Sequence, residues 1–118
     1  MSKYSRTKRL EQGDPSAYVE TAFEKDLLTV VRQMAKVSGW IFYHTYDSRH
    51  SVPGFPDCVM IHVQGRRIVY AELKRQDGKE SPAQLAFRVA IKSAGGEAYL
   101  WRPSDMQEIT DVLRGVLQ

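Results

Sequence analysis

Three charged residues have the types and spacing needed for chemistry on a phosphodiester. Asp57 follows Pro56 at the start of an apolar run, and fourteen residues separate it from Glu72; Lys74 lies two positions further on. Carboxylates can hold a divalent cation that polarises a phosphate and activates water, and a neighbouring ammonium group can offset the developing negative charge. The sequence therefore poses the question of whether the fold brings these side chains together.

Strand alternation and a hairpin predict that they converge. A two-residue loop at Gly65-Arg66 would place Asp57 opposite Lys74. The same register would place Val59 opposite Glu72, and directly opposed residues share a face of the sheet. We therefore expect the two carboxylates and the lysine at one end of the hairpin. The alternative is that Asp57 only ends a turn and that Glu72 and Lys74 face solvent.

The first helix supplies another candidate carboxylate. Apolar residues recur at spacings of three and four from about residue 16 to Val37, and Ser38-Gly39 ends the pattern. Glu24 lies on the stripe expected to face the core, and Glu20, one turn earlier, is an alternative. Because an inward carboxylate is costly without a positive partner, a metal held jointly with Asp57 and Glu72 would account for it.

Four further patterns complete the expected architecture. Ser81-Pro82-Ala83-Gln84 is typical of a capped helix start, which gives Gln84 a structural explanation without any catalytic role. Gly95-Gly96 ends that helix, and Ser104-Asp105 is expected to cap the last one. Strands are predicted at 40–44, 57–63, 68–74 and 98–101. The order helix, three strands, helix, strand, helix predicts an α/β fold around a central sheet.

Length and composition limit the function classes. The chain has 118 residues, enough for one domain: a basic arm over residues 1–15 and a folded unit over residues 16–118. No apolar run approaches the roughly 20 residues of a membrane span. The single cysteine, Cys58, excludes an internal disulfide framework and fits a cytoplasmic protein. We interpret Cys58 as a core residue, since it lies within an apolar run.

Positive charge is modest in total but clustered. The formal net charge is +3, and basic residues gather in the arm and around residues 66–79. Such clusters attract nucleic acid through phosphate neutralisation, or they form an ordinary solvated surface. The candidates for phosphate contact are Arg9, Arg49, His50, Arg75 and Lys79. For the metal, oxygen ligands favour Mg²⁺ or Mn²⁺, whereas the three histidines lack the tight spacing of a zinc site.

Taken together, these residues resemble a known family. Pro56-Asp57 followed by Glu72-Leu73-Lys74 has the PD-(D/E)xK form of restriction-endonuclease-like nucleases. The segments GWIFYHTYDSRHSVPGFPDCVM, AELKRQDGKESPAQ and AGGEAYLWRPSD resemble the virus-type replication-repair nuclease (VRR-NUC) family in particular, and the resemblance covers about residues 20–117.

The resemblance implies an αβββαβ core and a metal-dependent DNA endonuclease. In this sequence the family's metal ligands fall on Glu24, Asp57, Glu72 and the backbone carbonyl of Leu73, with Lys74 positioning water and Gln84 assisting it. Small stand-alone members, of the phage or bacterial type, further imply a homodimer that cuts branched DNA such as four-way junctions. The alternatives are a restriction-like or nicking enzyme acting on duplex or flap DNA, and an inactive module that only binds DNA.

Overall fold

The computed structural model describes residues 24–45 and 52–115, with the backbone alone for Glu24 and Lys25. Over these residues the predicted order of helices and strands is observed, and the protein is an α/β domain. The elements in chain order are α1 (Glu24–Val37), β1 (Ile41–His44), β2 (Cys58–His62), β3 (Arg67–Leu73), α2 (Pro82–Ser93), β4 (Glu97–Trp101), a 3₁₀ turn (Pro103–Asp105) and α3 (Met106–Arg114). The predicted beginning of the first helix, at residues 16–23, lies outside the described residues.

The four strands form one mixed sheet in the order β1-β2-β3-β4. Strands β1, β2 and β3 are antiparallel neighbours, and β4 runs parallel to β3. A parallel pair needs a crossover connection, and α2 provides it. Alternation along β3 is as predicted: Val69, Ala71 and Leu73 are buried on one face, and the residues between them point to the other.

The main core lies between the first of these faces and two helices. Leu27, Val31 and Ala35 form the buried stripe of α1, and Ile109 and Leu113 are the buried residues of α3. Both helices pack against each other and share one hydrophobic cluster with the sheet. Helix α2 lies on the opposite face and contacts β4. The sheet is therefore covered by two helices on one side and by one helix on the other.

Two buried polar side chains fix the β2–β3 hairpin and α3 to the rest of the core. His62 is fully buried; its Nε2 lies 3.0 Å from the Ser38 carbonyl oxygen, and its Nδ1 accepts the Gly65 N–H at 2.8 Å. The Trp40 indole N–H donates to the Leu113 carbonyl at 2.8 Å. These bonds satisfy groups that would be costly to bury alone.

The predicted hairpin register was wrong by two residues. His62, not Gln64, pairs with Arg67, and the loop contains residues 63–66. The Arg66 N–H donates to the Val63 carbonyl at 3.1 Å, and Arg66 takes the left-handed conformation at φ 57°. A four-residue loop that ends in a left-handed residue thus replaces the expected two-residue turn. A shift of two preserves the face of every side chain, so the predicted faces stand while the predicted pairs do not.

The prediction for the last helix also needs correction. Ser104 and Asp105 do not cap α3 through their side chains. Instead, the Asp105 carboxylate accepts the Arg102 N–H at 2.8 Å and closes the short 3₁₀ turn that precedes α3. The proline at the first position of this turn favours it, because the ring fixes φ near the helical value. No helix within 24–45 and 52–115 has the length and apolar character that crossing a bilayer requires.

Candidate active site

The backbone places Asp57 where the ends of three strands meet. Its carbonyl oxygen accepts the N–H of Thr45, directly after β1, at 2.9 Å. Its carboxylate Oδ2 accepts the N–H of Leu73, at the end of β3, also at 2.9 Å. Asp57 itself directly precedes β2. The Asp57 backbone is thus held from the β1 side and its carboxylate from the end of β3. A residue that only ended a turn would not need the second contact.

Glu72 is buried next to Asp57, and the side chains of Gln84 and Lys74 both contact one of its carboxylate oxygens. Only 5% of the residue is exposed. Its Oε2 accepts a hydrogen bond from the Gln84 amide at 2.7 Å, and the Lys74 ammonium lies 3.8 Å from the same oxygen. Burying a carboxylate is costly unless such partners meet it. Asp57, Glu72 and Lys74 therefore lie together at one end of the hairpin, as expected, although Asp57 and Lys74 are not the predicted cross-strand pair. Gln84, which the hairpin pattern did not place there, joins them from α2.

Gln84 caps α2, as one of the two predicted alternatives has it, and it also contacts a carboxylate of the candidate site. Its Oε1 accepts the Ser81 N–H at 2.8 Å, and the Ser81 hydroxyl accepts the Gln84 N–H at 3.1 Å. This reciprocal pair is the predicted capping box at the start of α2. The amide nitrogen remains available to donate to Glu72. One side chain thus satisfies a helix end and orients a carboxylate.

The loop that leads to Asp57 is docked on the first turns of α2. Gly54 has a φ of +92°, and a Cβ added there would lie 2.4 Å from the Ala83 backbone. The Phe55 ring makes edge-to-face contacts with Phe87 on α2 and Tyr70 on β3. Sequence reasoning did not assign these residues a role, and the pattern Gly54-Phe55 before Pro56-Asp57 was the available signal. They couple the position of Asp57 to that of Gln84.

The β3–α2 loop, residues 74–81, is fixed by bonds that leave two of its cations exposed. Arg102 donates to the Gly78 carbonyl at 2.8 Å, and Arg88 holds Glu80 through two hydrogen bonds of 2.8 Å. The bond from Arg88 is the main reason why the pKa of Glu80 lies below its ordinary value. Arg75 and Lys79 face solvent beside the site, with Arg75 only 3.5 Å from the exposed carboxylate of Asp77.

Two further charged or titratable residues lie near Asp57 on the β1 side, and the sequence analysis did not propose them. Burial lowers the pKa of His44, the Asp57 carboxylate opposes this shift, and Arg32 adds to it. The Arg32 guanidinium lies 5.4 Å from the centre of the Phe42 ring. Arg32 is a cation at a half-buried position of the amphipathic helix α1. That position was the signal in the sequence that could have identified Arg32 as a neighbour of the site.

Five of the predicted residues cannot be placed in this arrangement. Arg9, Arg49 and His50 lie outside the described residues, as does the alternative carboxylate Glu20. Glu24 is the first residue of α1, and its side chain is likewise outside the description. Their roles stay predictions.

The described side chains alone do not form a complete metal cage. Within residues 24–45 and 52–115, no group of three or more histidine, cysteine, aspartate or glutamate side chains could hold a metal ion. Asp57 and Glu72 provide two carboxylates, and hard oxygen donors of this kind suit Mg²⁺ or Mn²⁺. The buried Cys58 adjoins them, but burial, followed by the charges of Asp57 and Glu72, raises the pKa of its thiol, so the thiolate that a metal requires is disfavoured.

Comparison with known proteins adds no family to this geometry. A scan of protein-family models found no match to the chain, and a search of curated proteins found none either. The class that the structure defines is an α/β domain with a mixed four-stranded sheet. Its function has to be argued from the site itself.

Proposed function

We propose that this protein is a Mg²⁺- or Mn²⁺-dependent DNA endonuclease with a restriction-endonuclease-like core of the VRR-NUC type. The observation that carries the proposal is the joint position of Asp57, Glu72 and Lys74. The Asp57 carboxylate accepts the N–H of Leu73, the residue directly after Glu72, and the Lys74 ammonium lies 3.8 Å from the Glu72 carboxylate. A domain that only bound DNA would have no use for clustered acids that repel phosphate.

The donor set fits a hard divalent cation. Asp57 and Glu72 would hold it, and the Leu73 carbonyl oxygen and the Glu24 carboxylate are proposed to complete the protein ligands, with water at the remaining positions. When bound, the ion supplies Lewis-acid polarisation of the scissile phosphate and lowers the pKa of a coordinated water.

The remaining steps belong to the chain's own residues. Lys74 would orient the attacking water and offset negative charge that develops on the phosphate. The ion pair with Glu72 keeps the Lys74 ammonium beside the carboxylates. Gln84 holds Glu72 Oε2 through its amide N–H, so the glutamate reaches the site in one orientation. Such outer partners of ligands commonly change metal affinity or activity by about 10–100-fold.

DNA would approach the exposed cations beside the site. Arg75 and Lys79 project from the fixed β3–α2 loop, and Arg9, Arg49 and His50 are proposed to extend the same phosphate contacts. Contacts to phosphates confer affinity and register without sequence preference. We propose branched DNA, such as four-way junctions, as the preferred substrate. Flap or plain duplex DNA, and DNA binding without cleavage, are the competing outcomes.

Cleavage assays on matched four-way junction, flap and duplex DNA test this proposal. Each substrate is incubated with Mg²⁺, Mn²⁺ or EDTA and with the wild type, Lys74→Ala or Lys92→Ala. Lys92 lies in the last turn of α2 and is the matched control, because it is an exposed lysine away from the carboxylates. Metal-dependent cutting lost only in Lys74→Ala supports the site, and preference for the junction supports the substrate.

Equal cutting of plain duplex would remove the structure selectivity and keep the nuclease. DNA binding with no cleavage in either metal would overturn the enzyme and leave a binding module. Cleavage that Lys74→Ala retains in full would show that the chemistry lies elsewhere on the chain.

A further inference from the structure

Arg32 differs from the other half-buried arginines among the described residues, because it has no acceptor. Four described arginines are half-buried. Three of them donate to a carboxylate or a backbone carbonyl of the chain: Arg67, Arg88 and Arg102. Over residues 24–45 and 52–115, no hydrogen bond or ion pair holds the Arg32 guanidinium. Since a partly buried donor group without an acceptor is costly, Arg32 suits an anion that binds from outside the chain.

An aromatic ring holds the Arg32 guanidinium in place. Its Cζ lies 5.4 Å from the centre of the Phe42 ring, within the roughly 6 Å over which a ring attracts a cation. Phe42 is half-buried on β1 and packs against the main core, and its cross-strand neighbour Met60 is fully buried. The ring therefore has a fixed position. A guanidinium beside a ring keeps N–H donors for a further partner, so this contact positions Arg32 without using all its donors.

Arg32 lies on the β1 side of the candidate site, near Asp57. Phe42 is three residues before the N–H that binds the Asp57 carbonyl oxygen, which corresponds to roughly 10 Å along the strand. Burial, the largest influence, lowers the pKa of His44 and raises the pKa of Cys58. Among the weaker influences, the Asp57 carboxylate raises both pKa values and the Arg32 guanidinium lowers both. The guanidinium is thus close enough to act on the same two groups as the Asp57 carboxylate.

Arg32 and Lys74 lie on opposite sides of the two carboxylates. Strand β2, which Asp57 directly precedes, lies between β1 and β3. Arg32 contacts β1, whereas Lys74 directly follows β3 and its ammonium lies 3.8 Å from Glu72. Two strand spacings of about 4.8 Å put roughly 10 Å between β1 and β3. The carboxylates repel a DNA strand that passes over them, and a cation on each side offsets that repulsion.

We propose that Arg32 is a DNA ligand of the candidate active site, and that its guanidinium binds a phosphate next to the scissile one on the β1 side. This inference rests on the proposed function. Phosphate oxygens can accept two parallel N–H donors from a guanidinium, a geometry that a lysine does not offer. Lys74 would act at the scissile phosphate, whereas Arg32 would hold the strand in register across the end of the sheet. Arg32 therefore governs affinity, and Lys74 governs the rate of cleavage.

The salt dependence of DNA binding tests this role of Arg32. The wild type, Arg32→Met and Lys36→Met are titrated with four-way junction and duplex DNA in EDTA, over a series of salt concentrations. Each bound phosphate contributes about −0.9 to the slope of log affinity against log salt concentration. Arg32→Met should reduce the magnitude of this slope by about 0.9 and weaken binding roughly tenfold or more.

Lys36→Met is the matched control for the lost charge. Lys36 is exposed in the last turn of α1, one turn after Arg32, so its replacement removes the same charge from the same helix. Its binding and its salt slope should stay close to those of the wild type. Equal losses in Lys36→Met and Arg32→Met would overturn the proposal, because the general positive charge of α1 would then account for them.

A second substitution separates a phosphate contact from a structural role of Arg32. Arg32→Lys keeps the charge and loses the paired donors, so it should recover most of the salt slope and only part of the affinity. Circular dichroism melting checks that each variant is folded, and Arg32→Lys carries the test if Arg32→Met is not. In cleavage assays with metal, Arg32→Met should raise KM and leave kcat within about threefold, since the phosphate that it binds does not react.

The outcomes distinguish this proposal from the nuclease proposal. Arg32 variants that bind DNA as the wild type does at every salt concentration overturn the phosphate contact, even where Lys74→Ala abolishes cutting and the enzyme stands. A wild type that binds DNA through Arg32 and cuts nothing in Mg²⁺ or Mn²⁺ retains the contact and overturns the enzyme. A wild type that binds no DNA overturns both.

Discussion

Gln84 links the helix that it caps to the carboxylate of Glu72. Its Oε1 accepts the Ser81 N–H, and its Nε2 donates to Glu72 Oε2 at 2.7 Å. The start of α2 and the end of β3 are therefore held in one geometry by a single side chain.

Comparing substitutions at Gln84 and Ser81 should separate these two functions. Gln84→Leu should lower the free energy of unfolding by about 1 kcal/mol, the usual value of a helix cap, and should weaken Mn²⁺ binding by about tenfold or more. Ser81→Ala is the control, because it weakens the same cap and leaves the bond to Glu72. Urea unfolding and a titration of Mn²⁺ by electron paramagnetic resonance measure the two effects. Equal loss of Mn²⁺ affinity in both variants would contradict an orienting role for Gln84.

Gly54 should tolerate substitution much less well than Gly95. Both have φ near +92°, so alanine costs about 1 kcal/mol at either position for backbone strain. At Gly54 the new Cβ would also lie 2.4 Å from the Ala83 backbone, whereas at Gly95 nothing lies within 4 Å. Gly54→Ala should therefore lose a further 1–3 kcal/mol or so in urea unfolding. If both variants lose the same amount, the packing of the Asp57 loop on α2 is not as tight as described.

Stability at acid pH should depend on the ion pair between Glu97 and Arg67. Hydrogen bonds from Arg67 hold the pKa of Glu97 below its ordinary value of 4.5. A lowered folded-state pKa means that the stabilisation is present above pH 4.5 and is lost as the pH falls through the folded-state pKa. Glu97→Gln should lower the free energy of unfolding at pH 7 by about 1–3 kcal/mol. The free energy of unfolding of this variant should also fall less steeply than that of the wild type as the pH drops from 7 to 3.

Asp77→Asn is the matched control for that experiment. The Asp77 carboxylate faces Arg75 at 3.5 Å, but their side chains are 80% and 57% exposed, so solvent screens the pair. Unfolding curves from pH 7 to pH 3 should leave this variant close to the wild type. If Glu97→Gln loses as much unfolding free energy between pH 7 and pH 3 as the wild type does, the pH dependence comes from other carboxylates.

Cys58 should be unreactive while the protein is folded. The side chain is fully buried, and burial raises the pKa of its thiol, so little of the reactive thiolate exists at pH 8. Iodoacetamide should modify the native protein at least about a hundredfold more slowly than the urea-unfolded chain. Val52→Cys places a thiol at an exposed position near the site and should react rapidly. Rapid loss of the native Cys58 thiol would show that this part of the core opens readily.

Local patterns determined much of what the structure contains. The recurrence of Leu27, Val31 and Met34 at spacings of three and four predicted an amphipathic α1, and Leu27 and Val31 are fully buried. Val37 continues the same pattern but is 86% exposed, so the pattern did not predict where the buried stripe ends. Alternation along β3 predicted which side chains share a face. Ser81 and Gln84 predicted a capped helix, because the partners in a capping box are three residues apart. Each of these depends on contacts between close neighbours in the chain, so the sequence carries them directly.

Register and site geometry depended on contacts between distant residues. Gly65-Arg66 predicts a two-residue turn by itself, but buried His62 binds Gly65 and lengthens the loop by two residues. Tertiary packing also decided that Gln84 reaches Glu72 and that Gly54 docks on Ala83. The sequence by itself determined the elements, the faces and the candidate chemistry. Only the folded chain decided the register and the partners of each carboxylate, because these depend on long-range packing that no local pattern encodes.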